Sequence, residues 1–286
     1  VEPVAAGLGV RVALAEVKGI SQQEVTTAVA GQPYRSLADF VHRSRVSQPI
    51  VERIVLAGGL DSLHPRSRRD LLWHLPGLLE QGDRTRPDQM ALGVEWDWAP
   101  SPTGLEPMPL ADQVRYEVEI LGLDLSAHVV SFYRPVLSAL SVLPADRLLT
   151  VRSGSRVLVA GVKVATQTPP IRSGKRVAFV TLDDSTGPID ATFFEDAQDQ
   201  YAATLFSSWL LLVRGTVRRT GPRGVSVLAD GCWELGAVYR EWRTAGIAAV
   251  QELLDRRPYD DDETVQPTRV WEHASGFRQS PYAEAR

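Results

Sequence analysis

The sequence predicts an α+β multidomain chain: a helical helix-hairpin-helix region, a linker and helix, then a five-stranded barrel and a mobile tail. Three observations predict it. Short alternating runs at 156–165, 177–183, 189–194, 209–219 and 224–229 read as strands. Helical spacing governs the first 80 residues, and a stretch dominated by Gly, Pro, Asp and Thr separates the two patterns. The expected units are a helix-hairpin-helix region over 1–80, a linker over 81–112 and a helical connector over 113–143. A barrel over 144–240, a C-terminal helix over 241–259 and a flexible tail over 260–286 complete the chain.

In the barrel segment, Asp184, Ser185, Thr186, Gly187 and Pro188 supply turn chemistry between the second and third runs. An amphipathic segment over 195–206 precedes the fourth run, and Gly161 shifts the period of the first as a β-bulge would. Five strands with a helix between the third and fourth describe an OB-fold β-barrel, a fold that often binds single-stranded nucleic acid. Alternation assigns the faces. Ala178, Val180 and Leu182, then Ile189, Ala191 and Phe193, then Leu211, Val213 and Val217 fill the interior. Phe179, Thr181, Thr192, Phe194, Arg214, Thr216 and Arg218 face out. Exposed aromatics among guanidinium groups suit base stacking with phosphate contact. The alternative is that Phe179 and Phe194 cover a hydrophobic edge or meet a neighbouring domain.

The N-terminal region carries a hairpin of its own at Val17, Lys18, Gly19, Ile20 and Ser21, leading into a helix. Gly19 lets the backbone turn and come close to a phosphate. The amides of Ile20 and Ser21 are expected to point outward as anion donors, with Ser21 as N-cap and Lys18 adding charge. A bare helix turn with no ligand is the alternative. Residues 36–43 and 48–57 read as a second helical pair ending at Gly58 and Gly59. That half lacks a clean hairpin glycine and reads as scaffold. Arg66, Arg68 and Arg69 precede an apolar helix over 70–79 and read as a solvated helix start, with phosphate contact as the alternative.

Composition restricts the rest. One cysteine, Cys232, excludes a disulfide framework. No signal peptide and no membrane-length apolar run is visible, so a reducing cytoplasm is expected and no membrane partner. The start at Val1, inside a patterned segment, raises the expectation of a C-terminal piece of a longer chain. The net charge of −4 is unevenly spread: 151–230 holds ten basic and seven acidic residues, the only basic region. Non-specific nucleic-acid binding should therefore be weak and salt-dependent. Catalytic residues are not found. Asp183 and Asp184 enter a turn, and Asp260, Asp261, Asp262 and Glu263 form a run in the tail. His42, His64, His74, His128 and His273 show no metal-ligand spacing with Cys232, and no glycine-rich phosphate loop is present.

The order VALAEVKGIS (12–21), SLADFV (36–41), IVLAGGLDSL (54–63), YEVEILGLDLSAHVVSFYRP (116–135) and FVTLDDSTGPIDATFFEDAQDQY (179–201) resembles the C-terminal third of bacterial C-family DNA polymerases. These are the replicative polymerase III alpha subunits and their error-prone paralogues. The match runs from about Arg11 to Val238. GLDLSAHVVSFYRP followed by VLPA is closer to the error-prone paralogue of damage-induced mutagenesis. The resemblance implies translesion synthesis and DNA repair, with Lys18, Gly19, Ile20 and Ser21 on primer–template duplex. It places Phe179, Thr181, Phe194, Arg214 and Arg218 near single-stranded template. It implies partners in a mutagenesis complex, and no cofactor in this chain: Mg²⁺ would bind aspartates of an upstream palm that the sequence lacks. Replicative members carry a sliding-clamp peptide in the linker. Here Gln89 and Leu92 keep its anchors, but Gly93 follows and the aromatic is missing. An aromatic anchor contributes about 2 kcal/mol or more, so weak or absent direct clamp binding is expected. Two other readings are a stand-alone single-strand-binding or repair accessory protein and a ligase-like fragment. A ligase needs a lysine in a KxDG context, which Lys18, Lys163 and Lys175 do not have.

Overall fold

The computed structural model describes residues 2–4, 7–9, 11–63, 67–83, 103–169, 177–221 and 224–256, in two units, 1–127 and 128–286. Gln89 and Leu92, Arg66, and the tail over 260–286 lie outside the described residues.

The first unit opens with two short antiparallel strands, β1 (Glu2–Val4) and β2 (Gly7–Gly9). Five helices follow: α1 (Gln22–Ala30), α2 (Leu37–Ser44), α3 (Gln48–Leu56), α4 (Arg68–Asp83) and α5 (Leu110–Leu121). Their apolar residues recur at helical spacing and meet in one core. Leu37, Phe40 and Val41 come from α2, Ile50, Val51, Ile54 and Val55 from α3, Leu71, Leu75 and Leu78 from α4, and Ile120 from α5. The helix ends follow from the sequence. Ser36 accepts from the Asp39 amide at the start of α2 (3.1 Å), and Gly122 closes α5 at φ 70°. The end of the expected linker is packed: the Thr103 hydroxyl and amide donate to Asp70, and Met108 is buried.

The second unit begins with a 3-10 turn over Val129–Tyr133 and two short helices, α6 (Arg134–Ala139) and α7 (Ala145–Leu148). The expected connector over 113–143 is therefore divided, with α5 in the first unit and α6 in the second. The barrel strands are β3 (Arg156–Gln167), β4 (Ala178–Asp183), β5 (Pro188–Phe193), β6 (Leu210–Arg219) and β7 (Val225–Glu234). They close in the order β3-β4-β5-β7-β6, with only β5 and β7 parallel. Helix α8 (Glu195–Ser207) lies between β5 and β6 in sequence, and α9 (Leu235–Asp255) follows β7. β7 thus runs five residues past the expected end, and α9 starts earlier and stops earlier than the expected 241–259.

All nine residues assigned to the barrel interior are buried. Tyr201 of α8 packs edge-on against Trp233 of β7 (5.6 Å between ring centroids). Burial pushes the Cys232 thiol up to about 12, which leaves it inert. The bulge on β3 falls at Val164, not Gly161. Gly161 serves a different need: β4 crosses so closely that a Cβ there would lie 2.7 Å from the Asp183 carbonyl. The β4–β5 turn is tied down by its acids. Asp183 accepts from the Ser185 amide, while Asp184 accepts from Thr186 and from the Ala145 amide that starts α7 (2.8 Å).

Candidate nucleic-acid interface

The hairpin of the first unit is a four-residue turn closed by the Ile20 amide on the Val17 carbonyl (3.1 Å). Gly19 holds its third position at φ +84°, a conformation that favours glycine. Val17 is buried and Ile20 half-buried, which fixes the turn to the core. The Lys18 amide donates to the Ile120 carbonyl of α5 (3.0 Å), and Arg53 of α3 donates through Nη1 to the Lys18 carbonyl. A Cβ on Gly19 would overlap that guanidinium. Lys18 is exposed.

The expected anion donors are already engaged. The Ile20 amide belongs to the turn, and the Ser21 amide donates to Glu24 (2.9 Å) in a capping box completed by Ser21 Oγ. Glu24 also accepts from the Ser47 amide (3.0 Å) and hydroxyl (2.6 Å) at the start of α3. One carboxylate therefore caps two helix N-termini. The Ser47 hydroxyl and the Ser21 amide lead the donors that hold its carboxyl down at about 2. The expectation of outward-pointing Ile20 and Ser21 amides is corrected: an internal carboxylate takes the place assigned to phosphate.

On the barrel, Phe179 (45% exposed) and Phe194 (48%) both face solvent, as alternation requires. The register sets Phe179 opposite Thr192, and Ala178 opposite Phe193. Phe194, one residue past β5 and still extended, continues the alternation that turns Phe193 inward. Thr181 stands two residues along from Phe179, and its hydroxyl donates to Asp190 of β5 (3.0 Å). Beside it a shallow groove of about 410 Å³ is lined by Val164, Asp183, Ser185, Thr186 and Pro188. Neither β4 nor β5 carries a basic residue. This face offers rings and acceptors to a ligand.

Arg214 and Arg218 do not belong to it. β6 pairs with β3 and β7 only, so the closed strand order corrects the expectation that the exposed aromatics lie among these guanidinium groups. On β3, the partners of Phe179 and Arg214 are Gln167 and Leu158, at opposite ends of that strand. Arg214 is also engaged within the fold. Its Nε bonds Asp230 (2.6 Å), its Nη1 bonds the Leu254 carbonyl in the last turn of α9 (2.7 Å), and its guanidinium lies 5.2 Å from the Trp233 ring. A bulge opposite Arg214 and Gly215 aims Asp230 at it, and the same carboxylate binds Arg156 (3.0 Å). Arg214 fastens α9 to the barrel. Arg218 is exposed near the end of β6, beside the loop that carries exposed Arg152. That loop is stitched to β6 by Arg219, whose Nε donates to the Val151 carbonyl (3.2 Å).

Sequence reasoning passed over Arg53 and Glu24 because each acts on a turn distant in sequence. Only the capping-box spacing of Ser21 and Glu24 was there to be read. Among the described residues no group of three or more His, Cys, Asp or Glu side chains is placed to hold a metal ion. No helix among them is long and apolar enough to cross a membrane.

A helix-hairpin-helix unit followed by an OB barrel defines a nucleic-acid-binding chain. Family models agree: a helix-hairpin-helix motif matches residues 2–71, and an OB-fold nucleic acid binding domain matches 151–235. An error-prone DNA polymerase of Symbiobacterium thermophilum is 35% identical over 225 residues, 71% of this chain and 21% of that protein. The error-prone DNA polymerase of Caulobacter vibrioides is 31% identical over 231 residues, 80% of this chain and 21% of that protein. That of Mycobacterium bovis is 30% identical over 246 residues, 83% and 22% of the two chains. The chain is a homologue of the error-prone DNA polymerases, as its motifs implied, and spans about a fifth of the length of these relatives.

Proposed function

We propose that this chain is the DNA-binding C-terminal region of an error-prone DNA polymerase of translesion synthesis and repair. Residues 1–80 grip primer–template duplex through the Lys18–Gly19 turn, and the barrel holds single-stranded template. The observation that carries this reading is the continuity of the match: 35% identity over 225 residues, through both modules in one order. Physical features support the division of labour. The turn presents an exposed lysine beside Gly19, whose positive φ makes the turn and whose missing side chain leaves room for Arg53. The barrel face presents Phe179 and Phe194, and each base stacked on such a ring contributes about 1–3 kcal/mol. Arg218, on the far side of the barrel strands, supplies charge to the phosphate backbone and not to the stacked bases. Nucleotidyl transfer, its Mg²⁺ ions and any mutagenesis-complex partners belong to the longer protein, and direct clamp binding through Gln89 and Leu92 is weak or absent.

Fluorescence-anisotropy titrations of residues 1–286 with duplex and with oligothymidine test the reading. Phe179→Ala should weaken oligothymidine binding by roughly tenfold or more, with little change in salt slope. Unchanged binding with a lowered Tm would make Phe179 a packing residue. The chain alone should not extend a primed template. Template-directed incorporation lost on mutating Asp183 would overturn the assignment of chemistry to the longer protein.

A further inference from the structure

We infer that Arg53 is a phosphate-contacting residue of the helix-hairpin-helix turn, and that Gly19 is small in order to seat it. The inference rests on the duplex-binding reading of that turn. Its observations are geometric. The Arg53 guanidinium occupies the space where a Cβ on residue 19 would stand, and one of its nitrogens is fixed by the Lys18 carbonyl. A guanidinium carries five N–H donors in a rigid fork, so donors remain after that bond. The residue is partly exposed, and no ion pair to Arg53 or Lys18 is found among the described residues. The neighbouring amides are consumed by Val17 and Glu24. Backbone N–H donation, the means by which such turns hold phosphate, is therefore unavailable at Ile20 and Ser21.

What the turn retains is a pair of cations on one peptide: Lys18 by its own side chain and Arg53 through the Lys18 carbonyl. The carbonyl bond orients the arginine without neutralising it, because the partner is a neutral dipole. A phosphate accepting from the free edge of the fork takes a charge-assisted bond at a preset position, with little side-chain entropy left to lose. Arg53 thus adds a charged donor to a turn whose Lys18, Ile20 and Ser21 amides are engaged.

The test compares charge at fixed hydrogen-bonding capacity. Arg53→Lys and Arg53→Gln both keep a donor for the Lys18 carbonyl, and only lysine keeps the charge. Binding of residues 1–286 to a blunt DNA duplex is measured across salt concentrations, with far-UV circular dichroism confirming the fold of each variant. The expected result is a salt slope lower by about 0.9 for Arg53→Gln and close to wild type for Arg53→Lys. Equal slopes for the two variants, with Lys18→Ala alone lowering the slope, would make Arg53 a prop of the turn and overturn the inference while leaving duplex binding at Lys18. Wild-type affinity in Arg53→Gln and Lys18→Ala alike would overturn both the inference and the reading of the turn.

Discussion

The first unit contains the same device twice, with opposite charge environments. At both Gly19 (φ +84°) and Gly58 (φ +82°) an arginine guanidinium lies where a Cβ would be. Arg53 donates to the Lys18 carbonyl and Arg68 to the Leu56 carbonyl (2.9 Å). The glycine of the second half stands where the sequence ends that helical pair. Its form is a helix stop: the Gly58 and Gly59 amides return to Val55 (3.0 Å) and Ile54 (2.8 Å) and close α3 as a Schellman motif. The arginines differ more than the glycines. Arg68, with a side chain only 10% exposed, binds Asp61 (2.9 Å) and lies 3.6 Å from the buried Glu117. Glu117 in turn accepts from the Leu125 and Ser126 amides (2.8 Å) and from the Ser126 hydroxyl. A positive-φ glycine beneath an arginine does not by itself mark a binding turn. Neutralisation of the arginine separates the two: among the described residues Arg53 meets no carboxylate, whereas Arg68 meets two and binds the unit together.

Breaking the closed turn should give the largest effect. Arg68→Ala leaves Glu117 buried without its cation, a change that costs about 3 kcal/mol or more. Denaturant unfolding of the chain should show that loss, with duplex affinity per folded molecule and its salt slope unchanged. A lower salt slope in Arg68→Ala would erase the distinction between the turns.

The glycines themselves come next. Alanine at φ near +80° costs about 1–2 kcal/mol wherever it is placed, and each substitution also displaces a guanidinium. Gly58→Ala and Gly19→Ala should therefore lower stability by similar amounts. Only Gly19→Ala should also weaken duplex binding, because only there does the displaced arginine belong to the proposed phosphate contact. Equal effects on binding would mean that both turns act as scaffold.

Glu24 accounts for a smaller contribution, one that varies with pH. Its folded carboxyl stands at about 2 against an ordinary 4.5, so folding favours the ionised form. The stability it contributes is complete above about pH 4.5 and is lost as pH falls toward 2. Glu24→Gln should cost about 1 kcal/mol at neutral pH, in the range of an exposed helix cap, and should flatten the acid limb of the stability profile. Part of that limb should persist through Asp70, whose carboxyl the Thr103 hydroxyl holds low. An acid limb identical to wild type would show that the two helix starts do not depend on this carboxylate.

What could be read from the sequence followed the range of the interactions. Strand faces are local, so Phe179 outward and Val180 inward followed from period two alone. Helix ends at Ser21, Ser36 and Gly122 are local too. Arg214 illustrates the limit: its partners, Asp230 and the Leu254 carbonyl, meet it only after the barrel closes and α9 folds back. Strand order is likewise a property of closure, and it removed the arginines from the aromatic face. Arg53 and Gly19 are brought together by helix packing in a core assembled from α2 to α5, which no spacing rule encodes.

The smallest expected effect is the most direct measure of the open turn. Lys18 is exposed, makes no side-chain bond among the described residues and sits beside the peptide that Arg53 holds. Its removal should leave stability unchanged within about 0.5 kcal/mol, as at most surface positions. Duplex affinity should fall most at low salt, with the slope of log K against log salt reduced by about 0.9, one phosphate's counterion. Arg115 provides the control, because it is as exposed but is paired with Asp112 (3.5 Å) and stacked on Tyr116 (4.9 Å). Arg115→Ala removes the same formal charge from the same unit and should leave the slope at its wild-type value. If the two variants lower the slope equally, net charge alone governs binding, and the turn at Gly19 has no greater claim on the duplex than any other basic surface.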